Sequence, residues 1–243
     1  MGDVRIEWLG HSCFAVEEDG YRIVFDPYED GSVDGLAPLR TEADLVLCSH
    51  GHADHDGTGC VSIRPGAEKK KNPFAITELA SWHDEVQGKK RGPNTIRILD
   101  DGTYRIAHMG DIGCDLMPEQ KKALSQLTVM LVPVGGFFTL EPDRIFALVK
   151  ELAPEVVIPM HYRGKGFGYP VIGTLAAYTK FAEDVAEYPG NALVLPKDLH
   201  PQTAVLHFAG QPRGYNKEMP GEQPLGISWS CIISAALARP LQV

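Results

Sequence analysis

The chain has 243 residues, a formal net charge of −9, 44% hydrophobic residues and 23% charged residues. These values are typical of a soluble globular protein and exclude general disorder, and the length allows one large domain or two small ones. The acidic balance argues against a nucleic-acid-binding module, which would carry an excess of basic residues. We therefore expect no nucleic-acid partner.

The cysteines and the N-terminal residues predict a location in a reducing cytoplasm. Five cysteines are scattered along the chain and none forms a CxxC pair, so neither a disulfide framework nor a thiolate zinc site is indicated. The first residues lack an apolar secretory core, and the apolar stretch 227–238 is shorter than the roughly 20 residues that cross a bilayer. We expect no membrane anchor, although this stretch could join two subunits of a homo-oligomer.

The first half of the chain has the alternating and short apolar runs that are typical of β-strands. It begins with an antiparallel arrangement, and the turn residues Asp100-Asp101-Gly102 predict a later hairpin. The predicted strands of this half are residues 4–9, 13–16, 21–25, 43–48, 74–80, 95–99 and 103–107.

The second half of the chain alternates between strand and helix patterns. Pro118 and Pro142 lie where a first-turn proline is tolerated, because the opening N–H groups of a helix have no partner within it. The predicted helices are residues 118–126, 142–152 and 174–186, and the predicted strands are residues 129–134, 156–159, 192–195 and 203–208. Glycine, proline and polar residues follow, so we predict one domain over residues 1–209 and a C-terminal extension, 210–243, of unknown role.

Three histidines and an aspartate directly after the strand predicted at 43–48 are the strongest functional signal. The run reads Ser49-His50-Gly51-His52-Ala53-Asp54-His55, and with nine histidines in the chain its pattern HxHxDH has about one chance in a thousand of arising at random. Imidazole and carboxylate groups without thiolates suit zinc, iron or manganese. A loop that leaves a strand can direct His50 and His52 to one ion while Asp54 and His55 face a second.

Further ligands must come from elsewhere in the chain. The candidates are His83, His108, Asp111 and His161, each close to the end of a predicted strand. Loops at one edge of a sheet converge in space, and a rigid scaffold of this kind often positions a binding site.

Taken in order, these motifs resemble those of the metallo-β-lactamase fold superfamily of dinuclear metal hydrolases. The matching positions are Asp26 in Phe25-Asp26-Pro27, the run from His50 to His55, His83, Gly110-Asp111 and Pro159-Met160-His161. The opening Trp8-Leu9-Gly10-His11-Ser12-Cys13-Phe14 further resembles the branch that contains ascorbate-6-phosphate lactonase-like proteins and many uncharacterised hydrolases. The resemblance spans most of the chain, but the segment 210–243 has no counterpart in it.

The resemblance implies an α/β fold, a four-layer αββα sandwich with the site at one edge of its two sheets. It also implies two divalent metal ions, with zinc as the expected metal and manganese or iron as alternatives. The implied ligands are His50, His52 and His83 for the first ion, Asp54, His55 and His161 for the second, and Asp111 as a bridge. Asp26 would accept the spare N–H of a metal-bound imidazole.

The implied function is metal-dependent hydrolysis of an ester-like bond in a small molecule, such as a lactone or a phosphodiester, by a metal-activated hydroxide. Asp54 would ligate a metal and orient the hydroxide. His11 is either a packed residue at a strand end or a catalytic group that contacts the substrate or assists the leaving group. His108 is expected to be structural.

Two alternatives stay open at this point. One is a non-catalytic member of the fold that only binds metal or ligand. The other is a di-iron redox protein, which would carry Glu where this chain has His52.

The substrate contacts should come from the variable loops, because fold alone does not determine the substrate. The segments 135–138 and 162–164 flank the predicted site, and Phe137 and Arg163 are the side chains of interest there. The basic residues Lys89, Lys90 and Arg91 lie close to His83 in the sequence and could hold an anionic substrate.

Overall fold

The structure of the protein is a computed structural model that describes residues 2–208. Strands supply most of its regular secondary structure. In chain order the strands are β1 (Val4–Gly10), β2 (Cys13–Glu18), β3 (Tyr21–Phe25), β4 (Thr41–Ala43), β5 (Leu45–Leu47), β6 (Val61–Ile63), β7 (Ala75–Trp82), β8 (Pro93–Asp100), β9 (Arg105–His108), β10 (Val129–Pro133), β11 (Val156–Met160), β12 (Val185–Glu187), β13 (Ala192–Leu195) and β14 (Gln202–Val205). The α-helices are α1 (Pro118–Ala123), α2 (Pro142–Leu152) and α3 (Ala176–Thr179).

Two main sheets are built from these strands. One has the order β13-β1-β2-β3-β5, and the other has the order β12-β14-β11-β10-β9-β8-β7. Strands β1 to β3 are antiparallel neighbours, whereas β9, β10, β11, β14 and β12 run parallel. A small third sheet pairs β4 with β6.

The two main sheets share one hydrophobic core because the side chains of each strand alternate between its two faces. In β2, Phe14 and Val16 belong to the main core, while Cys13 and Ala15 belong to a smaller cluster on the opposite face. Strand β10 is buried at every position, as expected for a parallel strand covered on both faces. The buried residues of α2 join the same main core.

The α/β sandwich predicted from the sequence is confirmed, and so is the hairpin around residues 100–102, which joins β8 to β9. The outer face of the five-stranded sheet is covered mainly by irregular chain. Tyr28, Val33 and Leu39 of the loop between β3 and β4 pack there together with Val61.

The helix predicted at residues 174–186 is wrong over most of its length. Only α3 is helical, and the chain then forms β12, whose Val185 pairs with Thr203 of β14. Pairing at the end of the seven-stranded sheet has overridden the local helical pattern. The helix predicted at 118–126 is shorter, because α1 ends at Ala123 and Gln126 has a φ of 56°, outside the helical region.

Two strand predictions also need correction. The strand expected at 43–48 is divided into β4 and β5 at Asp44, whose buried carboxylate accepts the backbone N–H of Arg22 at 2.9 Å. The last strand ends at Val205 instead of residue 208. The predicted extension, 210–243, lies outside the described residues.

Across residues 2–208, no helix combines the length and the apolar composition needed to cross a membrane.

The central position of β10 makes its packing a test of this core. We expect Leu131→Ala, at a fully buried position, to lower the free energy of unfolding by about 2–5 kcal/mol, because the cavity left behind collapses only in part. Urea denaturation measures this change. Ile63→Ala is the control, since this side chain is 57% exposed and should change stability by about 0.5 kcal/mol or less. Equal losses in the two variants would contradict the described packing.

Candidate metal centre

The candidate site lies at one edge of the sandwich, where six strands of the two sheets end. The residues that follow these ends are His11 after β1, Asp26 after β3, His50 after β5, His83 after β7, Asp111 after β9 and His161 after β11. Strands β1, β3 and β5 belong to one sheet, and β7, β9 and β11 belong to the other. The site therefore forms only where the two sheets meet.

A first group of ligand atoms consists of three imidazoles. One ring nitrogen from each of His50, His52 and His83 lies within 4.8 Å of the other two. His83 is buried, His50 is partly buried and His52 is exposed, so this group opens to solvent on the side of His52. Three imidazoles at this spacing can hold one divalent ion and leave a position for water or substrate.

A second group combines a carboxylate with imidazoles. Ligand atoms of His11, Asp54, His55 and His161 all lie within 4.8 Å of one another. The Asp54 Oδ2 atom is 3.2 Å from His11 Nε2 and 3.4 Å from His55 Nε2. All four residues are buried, so this group lies deeper than the first.

Asp111 lies between the two groups. Its Oδ2 atom is 3.2 Å from Nε2 of His83 in the first group and 3.1 Å from Nε2 of His161 in the second. Its backbone N–H donates to Asn94 Oδ1 at 2.9 Å. The preceding Gly110 has a φ of 54°, and a Cβ atom there would lie 2.2 Å from Asn94 Oδ1, so the approach requires glycine.

The chemistry of these side chains fits divalent metal ions. Buried polar atoms are normally hydrogen-bonded, yet His50 Nε2, His55 Nε2 and Asp111 Oδ1 are buried and make no hydrogen bond. Each of these atoms belongs to a group that could hold a metal. Imidazole and carboxylate donors without thiolates suit zinc, manganese or iron.

Hydrogen bonds on the far side of three imidazoles fix which nitrogen faces the centre. Asp26 Oδ2 lies 2.7 Å from His55 Nδ1, the Phe138 carbonyl oxygen lies 3.1 Å from His83 Nδ1, and Ser49 Oγ lies 2.9 Å from His50 Nδ1. Each ring therefore directs Nε2 toward the centre. Such contacts orient ligands and raise their basicity.

Asp26 connects two of these contacts. Its carboxylate accepts the backbone N–H of Ser49 at 2.6 Å and the Ser49 hydroxyl at 2.5 Å, besides its contact with His55. The hydrogen bonds and the proximity of His108 and His55 keep the pKa of Asp26 below its ordinary value although burial opposes this. The carboxylate is thus ionised at neutral pH.

Burial and charge act in opposite directions on the histidines. Desolvation, with the neighbouring His55, lowers the pKa of His50 to about 3, and desolvation, with His161, lowers the pKa of His11 to about 4. Burial would also lower the pKa of His55, but Asp111, Asp54 and Asp26 outweigh it and hold that pKa well above 6.5. Three buried carboxylates around one imidazole create a demand for positive charge, which a metal ion would meet.

Three residues of the site have backbone conformations that are unusual for residues other than glycine. The φ angles are 51° for His11, 41° for Asp26 and 51° for His161. Such conformations cost on the order of 1–3 kcal/mol each and persist where the surrounding structure enforces them, often at functional sites. Here each residue makes the first turn after a buried strand.

The structure brings together all the predicted site residues: His11, His50, His52, Asp54, His55, His83, Asp111 and His161. His108 belongs to none of these groups. Its ring stacks on Phe25 at a centroid distance of 5.0 Å, and its Nε2 atom lies 2.9 Å from the carbonyl oxygen of Ser12. These contacts agree with the structural role that was expected.

Two contributors were missed by the sequence analysis. Asp84 is buried, and its carboxylate accepts the backbone N–H groups of Val86, Gly88, Lys90 and Arg91 at 2.8–2.9 Å. The aspartate so close before Gly88 was a usable turn signal. Tyr169 approaches His11 with ring centroids 5.5 Å apart, and no local pattern indicates that contact.

Comparisons with known proteins agree with this geometry. Residues 5–161 match the family model described as the β-lactamase superfamily domain. A UPF0173 metal-dependent hydrolase of Carboxydothermus hydrogenoformans is 29% identical, covering 84% of this chain and all of the relative, and one of Thermoplasma acidophilum is 27% identical, covering 67% and 84%. A solved structure of a metallo-β-lactamase superfamily protein from Thermotoga maritima has a TM-score of 0.63 and 26% identity, covering 84% of this chain and 98% of its own.

The role of Asp26 can be tested through metal affinity. We expect Asp26→Asn to weaken zinc binding about 10- to 100-fold, because the amide cannot accept the full set of hydrogen bonds from Ser49 and His55. Asparagine tolerates the positive φ, so the backbone should be retained. Competition with a chelator measures the affinity, with Asp100→Asn, remote from the site, as the control. An unchanged zinc affinity in Asp26→Asn would show that the carboxylate does not organise the site.

The lowered histidine pKa values predict that the metal-free protein loses stability in acid. In the unfolded chain these histidines titrate near 6.5, so between pH 6.5 and about 4 the unfolded state binds protons that His11 and His50 exclude in the folded state. Stability should therefore fall with pH, by up to about 1.4 kcal/mol per pH unit for each group. His55 and His83, whose pKa values are raised, are protonated in both states here and add no slope.

Urea unfolding of the metal-free protein at pH 6.5, 5.5 and 4.5 measures this slope. The exposed His200 provides the control variant, His200→Ala, which should keep the slope of the wild type. Equal stability at the three pH values would contradict the expectation.

Proposed function

This chain belongs to the β-lactamase superfamily and is a metal-dependent hydrolase, and we propose that it cleaves an ester-like bond, in a lactone, a phosphodiester or a related small molecule, at a dinuclear centre. The proposed ligands are His50, His52 and His83 for one ion, Asp54, His55 and His161 for the other, and Asp111 between them. Zinc is the proposed metal, with manganese or iron as the alternatives.

One observation carries the proposal of two ions. The Asp111 carboxylate is within 3.2 Å of an imidazole from each group and still has a buried oxygen without a hydrogen bond. A carboxylate with two free coordination directions between two ligand groups is suited to bridging. A single ion would leave several of these buried atoms unpartnered.

The metal pair, when bound, would supply Lewis acidity and lower the pKa of a bound water toward neutrality. The side chains of the protein orient the attacking water. Asp54 is ionised, because its contacts with His55 and His11 hold its pKa well below the ordinary value although burial opposes this. Its carboxylate can therefore accept a hydrogen bond from an attacking water and fix its direction.

His11 acts on Asp54 in this proposal. Its Nε2 atom lies 3.2 Å from Asp54 Oδ2, its ring lies 4.2 Å from that of His161, and it is fully buried. We assign it a positioning role, in which it holds and polarises the Asp54 carboxylate. Access for the substrate is from the side of His52, which is the exposed ligand.

The same proposal includes the cellular setting. The four described cysteines are free, which supports a reducing compartment, and we propose the cytoplasm. The substrate is a small molecule, for which the exposed side of His52 leaves an approach.

The decisive test combines metal content with turnover. Elemental mass spectrometry on protein purified without chelator or nickel should find about two equivalents of metal, and His50→Ala and Asp111→Ala should each lose at least one. Activity on a panel of phosphodiesters and lactones should fall more than about 100-fold in both variants. His200→Ala, which removes an exposed histidine outside the site, should match the wild type.

Two results would overturn the proposal. Absence of bound metal after reconstitution would exclude the dinuclear centre. Full metal loading with no turnover on any ester would indicate a member of the fold that binds without catalysis.

A further inference from the structure

A strained aromatic loop lies directly beside the candidate metal centre. Phe137 has a φ of 60° and an exposed fraction of 44%, and its backbone N–H donates to Glu141 Oε1 at 3.1 Å. The next residue, Phe138, uses its carbonyl oxygen to orient His83. Strained backbone conformations of this kind cluster at active sites and ligand clamps.

The two phenylalanines continue into a wall that reaches the deeper ligand group. The Phe137 and Phe138 rings meet edge to face at 4.8 Å, and the Phe138 and Tyr169 rings meet at 5.9 Å. Tyr169 in turn contacts His11 and is tied down by its hydroxyl, which donates to the Ser32 carbonyl oxygen at 2.9 Å. These contacts form a continuous series of aromatic rings that reaches from His83 to His11.

One cationic side chain, that of Arg91, packs against this series of aromatic rings. The Arg91 guanidinium lies 5.5 Å from the centroid of the Phe138 ring and donates to the Phe137 carbonyl oxygen at 3.2 Å. Among residues 2–208 no carboxylate forms an ion pair with it, whereas the neighbouring Lys90 is paired with Glu85. Four further N–H donors of the guanidinium are available for a ligand.

The position of Arg91 is fixed by the fold. The loop after His83 is organised around the buried Asp84, whose carboxylate accepts the Arg91 backbone N–H at 2.8 Å as one of four such bonds. A guanidinium on a preorganised loop binds a carboxylate or phosphate with little loss of conformational entropy. Lys89 differs in two ways, because its backbone N–H is not among the four that Asp84 accepts and the residue is exposed.

We propose that Arg91, Phe137, Phe138 and Tyr169 form a recognition wall that selects substrates in which an anionic group lies beside a flat apolar group. The inference rests on the proposed function for the bond that is cleaved, but the wall can be tested by binding alone. The ester substrate would place its anion on Arg91 and its apolar group on the aromatic rings, with the ester toward the ligand groups.

The test is calorimetric titration of the metal-loaded protein with three probes. Together they separate the contribution of the anionic group to binding from that of the aromatic ring. Benzoate carries both features, acetate carries only the anion, and benzyl alcohol carries only the ring. We expect benzoate to bind the wild type about tenfold more tightly than either of the others. Acetate also reports how far a carboxylate binds the metal itself.

Variants then assign each feature to a side chain. Arg91→Gln should weaken benzoate binding about tenfold and leave benzyl alcohol unchanged. Phe137→Ala should weaken benzoate and benzyl alcohol about threefold and leave acetate unchanged. The matched controls are Arg64→Gln and Val185→Ala. The Arg64 side chain donates to the carbonyl oxygen of Gly20, next to the end of β3 that is remote from the site. Val185 is a hydrophobic residue on β12 that is 40% exposed.

The metal content of every variant should equal that of the wild type, because none of these residues is a proposed ligand. Acetate binding the wild type as tightly as benzoate, or benzoate binding Arg91→Gln as tightly as the wild type, would overturn the recognition wall. Since calorimetry needs no turnover, a protein that binds benzoate as expected but hydrolyses no ester would contradict only the proposed function. Hydrolysis without the benzoate preference would contradict only the wall.

Discussion

The burial of negative charge is the constraint on which the site depends. Asp26, Asp54 and Asp111 are ionised at the edge of the sandwich with little contact with solvent. Isolated carboxylates in such a place would be strongly unfavourable. The surrounding imidazoles relieve part of this charge and burial keeps others, such as His50, neutral and ready to coordinate. The arrangement is therefore suited to cations, and the hydrogen bonds to His50, His55 and His83 keep one nitrogen of each ring directed toward the centre.

Rigid strands make this arrangement possible. Each critical side chain follows the end of a strand whose register is set by pairing across the sheet, and His11, Asp26 and His161 turn away from their strands with left-handed backbone conformations. A loose loop would relax such conformations. Core packing also holds the site residues in place: the ring of Trp8 stacks on that of Tyr162, the residue after His161, at a centroid distance of 5.6 Å.

The sequence predicted which residues the fold brings together at this edge better than it predicted the elements around them. The HxHxDH run is local, so its chemistry can be recognised without knowing the fold, and the order of the distant motifs supplied Asp111 and His161. Contacts made through space had no local signal: Tyr169 reaches His11 from a loop more than 150 residues away. The helix expected at 174–186 was wrong because sheet pairing by Val185, a tertiary interaction, decides the conformation there.

The position of the site between the two sheets implies that a bound metal ion would also stabilise the fold. His50 and His52 come from the five-stranded sheet and His83 comes from the seven-stranded sheet, so one ion held by all three would clasp the sandwich at its edge. Ligation and docking of the sheets then become a single linked equilibrium. The supply of metal in the cell would thereby set not only how much of this protein is active but also how much of it survives unfolding and proteolysis.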